Sequence, residues 1–310
     1  MSVFVEIPPN QYSATAFANF NGAIKDLNLG NARAMIWMSQ LAYESGQQPT
    51  IDAVGPRWGF TSVAPFARQK TAIAGSFDTT GLLGERGDAI VLVFAGTDPG
   101  VWRTLATDGQ AELSPATDTH MGFQDALDAA RGVIQQAVTK SQQTGKPLWI
   151  AGHSLGAALA ALAAQFADSL HCAPKAVYLF GMPRAGGTTF QATYNGNPNL
   201  GPVSYRFVHG LDVVARVPPS LNGYRHIGCV LQCQSGQKFD PQTNPLSALG
   251  SDDPQLAAGA VAALQSGFER VLTGRILSPP GFGIFGPLFV ALPPPIRDHL
   301  QDCYWTALTP

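Results

Sequence analysis

The chain has 310 residues, 45% of them hydrophobic and 13% charged, with a formal net charge of −2. That length suits one large α/β domain or two small ones. The near-neutral balance excludes both the basic surface that a nucleic-acid backbone requires and an acidic interaction tail.

The opening residues Met1 to Pro9 lack a basic region followed by an apolar one, so no cleavable signal peptide is read. The four cysteines, Cys172, Cys229, Cys233 and Cys303, are too few and too irregular for a disulfide scaffold. Reduced thiols and a cytoplasmic location are expected, with secretion by a route that needs no signal left open. His226, Cys229 and Cys233 fall close together but lack a fourth ligand at a suitable spacing, so no metal site is expected.

Residues 1–30 read as an irregular lead-in. From Asn31 to Glu44, Ala34, Met35, Met38, Leu41 and Ala42 recur at helical spacing, with Asn31 as the expected N-cap. Short alternating segments follow at 57–63 and 66–77. The β-branched run Ala89 to Phe94 is a buried strand closed by Gly96. Residues 98–120 lack a period, and a loop of that length inside a domain is usually functional. Helical character resumes from Gly122 to Ser141. Further buried strands are expected at 148–151, 176–180 and 203–208. Residues 231–252 are polar and rich in turns, and 253–274 have helical spacing. The segment 279–292 is strongly apolar but too short and too broken by proline to span a bilayer. It is equally consistent with an acyl-contacting flap and with a loop buried against the core. No repeat or linker divides the chain, so one domain over 1–310 is expected. Strands alternating with helices imply a mostly parallel sheet, which places ligands at the strands' carboxyl ends. Thr97, Ser154 and Asp212 should share that rim.

The stretch Pro147 to Phe166 runs from an apolar strand through Gly152-His153-Ser154-Leu155-Gly156 into an alanine- and leucine-rich helix. A serine presented on so sharp a turn needs nearly side-chain-free neighbours, and the helix aims its amide donors at the same point. Ser154 is the candidate nucleophile, and the Leu155 amide a candidate donor to an oxyanion. An activated serine needs a base and a group to orient that base. Of the six histidines, His153 sits inside the elbow, His171 near a helix end and His120 just before a helix. His209, His226 and His299 remain open as bases.

Six ordered blocks carry a family resemblance: Val91 to Thr97, His120 to Phe123, Gly152 to Ala157, Gly181 to Gly186, Arg206 to Pro219 with Tyr224 to Gly228, and Asp298 to Leu300. Together they resemble the fungal-type (class 3) lipases, from about Asn31 to Tyr304. The resemblance implies an α/β-hydrolase fold, a mostly parallel central sheet flanked by helices, with a lid segment at 98–119 and a variable insertion or cap region at 231–296. It implies the triad Ser154, Asp212 and His299, with Thr97 as a second oxyanion contact beside Leu155 and His226 in a supporting role. Trp102 and Leu105 fall where such proteins carry a lid, and His153 joins them as a residue expected at the substrate or the lid. Ala95 departs from the family, which commonly has arginine there. The implied activity is cofactor-independent hydrolysis of lipid esters, with triacylglycerol as the leading substrate, transient contact with a lipid interface and no transmembrane segment. Carboxylesterase or phospholipase A1 activity is the alternative, and a catalytically silent binding module of the same fold is a third reading.

Overall fold

The computed structural model describes residues 7–72, 75–96, 112–250 and 294–310. Its centre is a seven-stranded sheet in the order β1 to β7. β1 (Phe60–Ala72) and β2 (Gly75–Arg86) form an antiparallel hairpin, and β2 pairs antiparallel with β3 (Ile90–Phe94). From β3 onward every pairing is parallel, through β4 (Leu148–His153), β5 (Ala176–Phe180), β6 (Ser204–His209) and β7 (Cys229–Cys233).

The central strands read as continuous apolar runs because both faces of the sheet are covered. Alternate residues go to opposite layers. Ile90, Leu92, Phe94, Ile150, Val177 and Leu179 pack under helices α3 (Met121–Thr144) and α4 (Leu155–Ser169). Val91, Val93, Trp149, Ala151, Tyr178 and Phe180 face α1 (Leu29–Ala42) and the aromatic residues Tyr12, Phe17 and Phe20 of the lead-in. Each fully buried aliphatic or aromatic side chain of this kind contributes roughly 1.5–3 kcal/mol. In α4, seven alanines are among the buried residues, and their small side chains let the helix lie close to the sheet.

Several boundaries differ from expectation. The first helix begins at Leu29 because Asn28 caps it, its side chain accepting the Asn31 amide at 2.9 Å. Asn31, the expected cap, is instead buried in the first turn and accepts the Asn21 amide at 2.8 Å. The weak alternation at 57–63 and 66–77 belongs to one long hairpin. A short helix α2 (Gln48–Val54) precedes it. The region expected to vary from residue 231 starts inside the sheet: Leu231 to Cys233 pair with Phe207 to His209. The end of the expected lid, residues 112–119, is a pinned turn rather than part of a free flap. Thr119 bridges to Gly186, and Asp118 Oδ2 accepts the Thr189 amide at 2.7 Å, at the start of α5 (Thr188–Gly196). The predicted helix at 253–274 and the apolar segment at 279–292 lie outside the described residues.

The chain closes with a single helical turn, α6 (Pro294–Arg297), and α7 (Gln301–Ala307). Trp305 stacks on Trp37 of α1 with ring centroids 4.1 Å apart, fixing α7 to the second layer. Among the described residues, no helix is long and apolar enough to cross a membrane.

Parallel register sets where the site must be. Phe94 pairs with Gly152, His153 with Phe180, and Phe180 with Phe207, so β3 to β6 finish along one edge. Residues following these ends converge there.

Candidate active site

Ser154 occupies the turn between β4 and α4 with φ 63° and ψ −133°, one of three non-glycine residues at positive φ among the described residues. Such a conformation costs of order 1–3 kcal/mol and persists only where its surroundings enforce it. The Ser154 amide donates to the Phe180 carbonyl at 2.8 Å, and α4 starts at the next residue. Gly156 is required because a Cβ there would lie 2.6 Å from the Ala95 carbonyl oxygen. Leu155 and Gly156 are the first residues of α4, so their amides are among those with no carbonyl earlier in the helix to receive them.

The three candidate catalytic side chains form one hydrogen-bonded line. His299 Nε2 lies 2.8 Å from Ser154 Oγ, and His299 Nδ1 lies 2.9 Å from Asp212 Oδ2 and 3.0 Å from Oδ1. Ser154 and His299 are 3% and 7% exposed, and Asp212 is fully buried. The carboxylate accepts the Nδ1 proton, so Nε2 faces the serine as an acceptor. Asp212 also accepts the Tyr304 hydroxyl at 2.5 Å and the Val214 amide at 2.8 Å. Burial alone would raise its pKa, but the opposing charge on His299 and the hydrogen bonds from His299 and Tyr304 hold it below the usual carboxylate range. Tyr304 is driven the other way, well above an ordinary tyrosine, by burial and by the charge on Asp212. It therefore stays a neutral donor. Gly181 closes the floor of the site: its φ is +56°, and a Cβ there would stand 2.7 Å from Asp212 Oδ2 and 2.9 Å from His299 Nδ1.

His153 does not reach substrate space, contrary to its expected place at the substrate or lid. It is 4% exposed, its Nε2 donates to the His299 carbonyl at 2.8 Å, and its ring stacks on His299 with centroids 4.7 Å apart. A carbonyl only accepts, so Nε2 carries the proton and Tyr43 donates its hydroxyl to Nδ1 at 3.0 Å. Burial, with the charge on His299, depresses the His153 pKa to about 3. The elbow and His299 are thus joined by a neutral imidazole.

The other histidines have local roles. His120 caps α3, its Nδ1 accepting the Gly122 amide at 3.1 Å, and burial lowers its pKa to about 4. His226 donates from Nε2 to the Ala215 carbonyl at 2.8 Å, bracing the turn that carries Asp212. His209 lies at the end of β6, away from the serine line, with its Nδ1 3.5 Å from Asp298. Thr97, Trp102 and Leu105 lie outside the described residues. All four cysteines are free thiols. Tyr43, Gly181 and Tyr304 complete the site without having been singled out as site residues from the sequence. Tyr304 had a weak signal in its place five residues after His299, and Tyr43 had none.

Comparison with known proteins agrees with this architecture. Residues 91–222 match the sequence profile of the family described as Lipase (class 3). A Caenorhabditis elegans lipase is 28% identical over 214 residues, covering 66% of this chain and 59% of the relative. A secreted mono- and diacylglycerol lipase of Fusarium solani is 33% identical over 132 residues, covering 40% of this chain and 38% of the relative. The chain thus spans less than two thirds of the length of these curated relatives. Among solved structures, lipase II from Rhizopus niveus superposes with a TM-score of 0.54 at 21% identity, over 73% of this chain and 87% of that one, a likeness of fold. Profile match, elbow and sheet order agree: residues 91–222 are similar to the class 3 lipase family, and the fold is that of the fungal lipases.

Proposed function

We propose that this protein hydrolyses carboxylic ester bonds of acylglycerols through an acyl-serine intermediate on Ser154. One observation carries the reading: Ser154, His299 and Asp212, separated by 145 and 87 residues in the chain, meet in an unbroken hydrogen-bonded line of 2.8 and 2.9 Å. A buried serine turned at strained φ onto the Nε2 of an oriented imidazole is arranged for proton removal.

In the proposed reaction Ser154 Oγ attacks the ester carbonyl while His299 Nε2 takes its proton. The resulting imidazolium is stabilised by Asp212, whose carboxylate stays ionised because its donors hold it so. The carbonyl oxygen, now an oxyanion, accepts the Leu155 amide at the positive end of α4, with Thr97 proposed as the second donor. Collapse of the tetrahedral species expels the alcohol, which takes the proton from His299. Water then attacks the acyl carbonyl while His299 takes its proton, and the second tetrahedral species collapses to the fatty acid as His299 returns that proton to Ser154 Oγ. Every proton in the cycle moves through one nitrogen, and no cofactor is called for.

The acylglycerol assignment is supported by the Fusarium relative, described as acting on mono- and diacylglycerol. Treatment of the full chain with a fluorophosphonate, followed by peptide mass spectrometry, should give one stoichiometric adduct on Ser154. Ser154→Ala should abolish the adduct and lower ester turnover by about 10⁶-fold, as expected when a triad acts as a unit. An alanine variant that keeps most of the activity overturns the assignment. Parallel rates on tributyrin, a diacylglycerol and phosphatidylcholine decide the substrate, and a clear preference for phosphatidylcholine would replace the acylglycerol reading by phospholipase A1.

A further inference from the structure

We propose that Asp298 is a positioning residue for this hydrolysis, clamping the segment that carries His299 to the turn that carries Asp212. The inference rests on the triad reading above. Asp298 immediately precedes His299 and is 1% exposed. Its Oδ2 accepts the Leu211 amide at 2.9 Å and the Ser235 hydroxyl. Leu211 in turn immediately precedes Asp212. Two consecutive residues on one segment therefore grip two consecutive residues on the other, Asp298 to Leu211 and His299 to Asp212.

A single His–Asp hydrogen bond fixes a distance but leaves the imidazole free to swing about it. A second attachment one residue away removes that freedom, and rate in a triad is sensitive to such angles. The molecule is built around the clamp. Gly210 has φ +54°, and a side chain there would strike Asp298. Burial opposes ionisation of Asp298, yet the nearby His209 and the bonds from Leu211 and Ser235 hold the carboxyl below its ordinary range.

The neighbourhood also offers His209, Asp298 and Cys303 with ligand atoms within 4.8 Å of one another, a spacing that could suit a metal ion. The tautomer of His209 argues against that use. The Gly236 amide donates to Nε2 at 3.1 Å, which leaves the ring proton on Nδ1, and it is Nδ1 that faces Asp298 Oδ1 at 3.5 Å. A protonated nitrogen cannot ligate, so His209 stands beside the clamp with its Nδ1 turned toward Asp298.

The test compares Asp298→Ala with Asp298→Asn in the full chain, the second keeping an oxygen for the Leu211 amide. Asp298→Ala should lower kcat and the fluorophosphonate labelling rate about 100-fold, the size of effect that a misplaced catalytic group produces. KM should stay within about twofold, since ground-state binding is untouched. Asp298→Asn should recover activity to within about tenfold of the parent by restoring the clamp. The low-field proton resonance of the His299 Nδ1–H···Asp212 bond should broaden in the alanine variant and persist in the asparagine one. Should the alanine variant fail to fold, Asp298→Asn and Ser235→Ala carry the comparison. An alanine variant that labels at the parent rate, or a folded asparagine variant as slow as about 100-fold below the parent, overturns the clamp. Failure of the unaltered protein to label on Ser154 would instead overturn the hydrolase reading beneath it.

Discussion

The proposed nucleophile and the proposed base are held in place by different means. Ser154 is shaped mainly by its own stretch, β4 ending at His153 and α4 starting at Leu155, and leans on neighbouring strands only through backbone, its amide on the Phe180 carbonyl and Gly156 against Ala95. His299 sits between two short helical pieces and is placed by partners from distant parts of the chain. His153 holds its carbonyl from 146 residues away, Asp212 its Nδ1 from 87, and Leu211 binds the adjacent Asp298 from 87. A strained turn is a local property, whereas the aim of an imidazole is tertiary. Variants that spare the elbow should therefore still separate the base from its partners.

The largest such effect is expected at Gly181. Gly181→Ala places a methyl group against both Asp212 and His299 at a positive φ. Activity should fall at least ~10²-fold through misplacement of the base, and left-handed strain should remove a further ~1–2 kcal/mol of stability. Steady-state kinetics and denaturant unfolding would check both, and parent-like activity would show that the floor beneath the base is soft.

Next comes the acid limb of stability. His153 has a folded-state pKa of about 3, below its unfolded value near 6.5. Between these values the unfolded chain binds the extra proton, so stability is full above about pH 6.5 and falls as pH drops toward 3. By pH 4 this histidine accounts for up to ~3 kcal/mol, and His153→Asn should flatten that part of the curve. An unchanged slope in urea midpoints from pH 7 to 4 would mean that His153 does not stay neutral.

The smallest effect belongs to Tyr304. Tyr304→Phe leaves Asp212 with His299, Val214 and Ala215 as donors, and the loss of one hydrogen bond to a charged group should reduce kcat about 10-fold. Unaltered kcat would reduce Tyr304 to a packing residue.

This contrast also governs what could be read from sequence. The apolar runs that became β3 to β6 were legible because both faces of those strands are buried, and the elbow because its signature is contiguous. β7 was missed: it is short, contains Gln232 and two cysteines, and owes its strand state to pairing with Tyr205 to His209. The hairpin read as fragments because its outer strand alternates irregularly at the edge of the sheet. For the base, the residues alone left three histidines open, and the choice of His299 came from likeness to a family. The features that hold His299, namely Tyr43 through His153, Tyr304 at Asp212 and Asp298 at Leu211, join residues with no sequence relationship. A single sequence does not encode that relationship in any local pattern.

The distance along the chain between elbow and base has a consequence for biosynthesis. Ser154 emerges from the ribosome 145 residues before His299, an interval of roughly 7–30 s at ~5–20 residues per second. Throughout that time the growing polypeptide carries a serine without its proton acceptor. On the proposed mechanism, Ser154 of a newly made chain gains its partner only once the segment bearing His299 has been made and has docked.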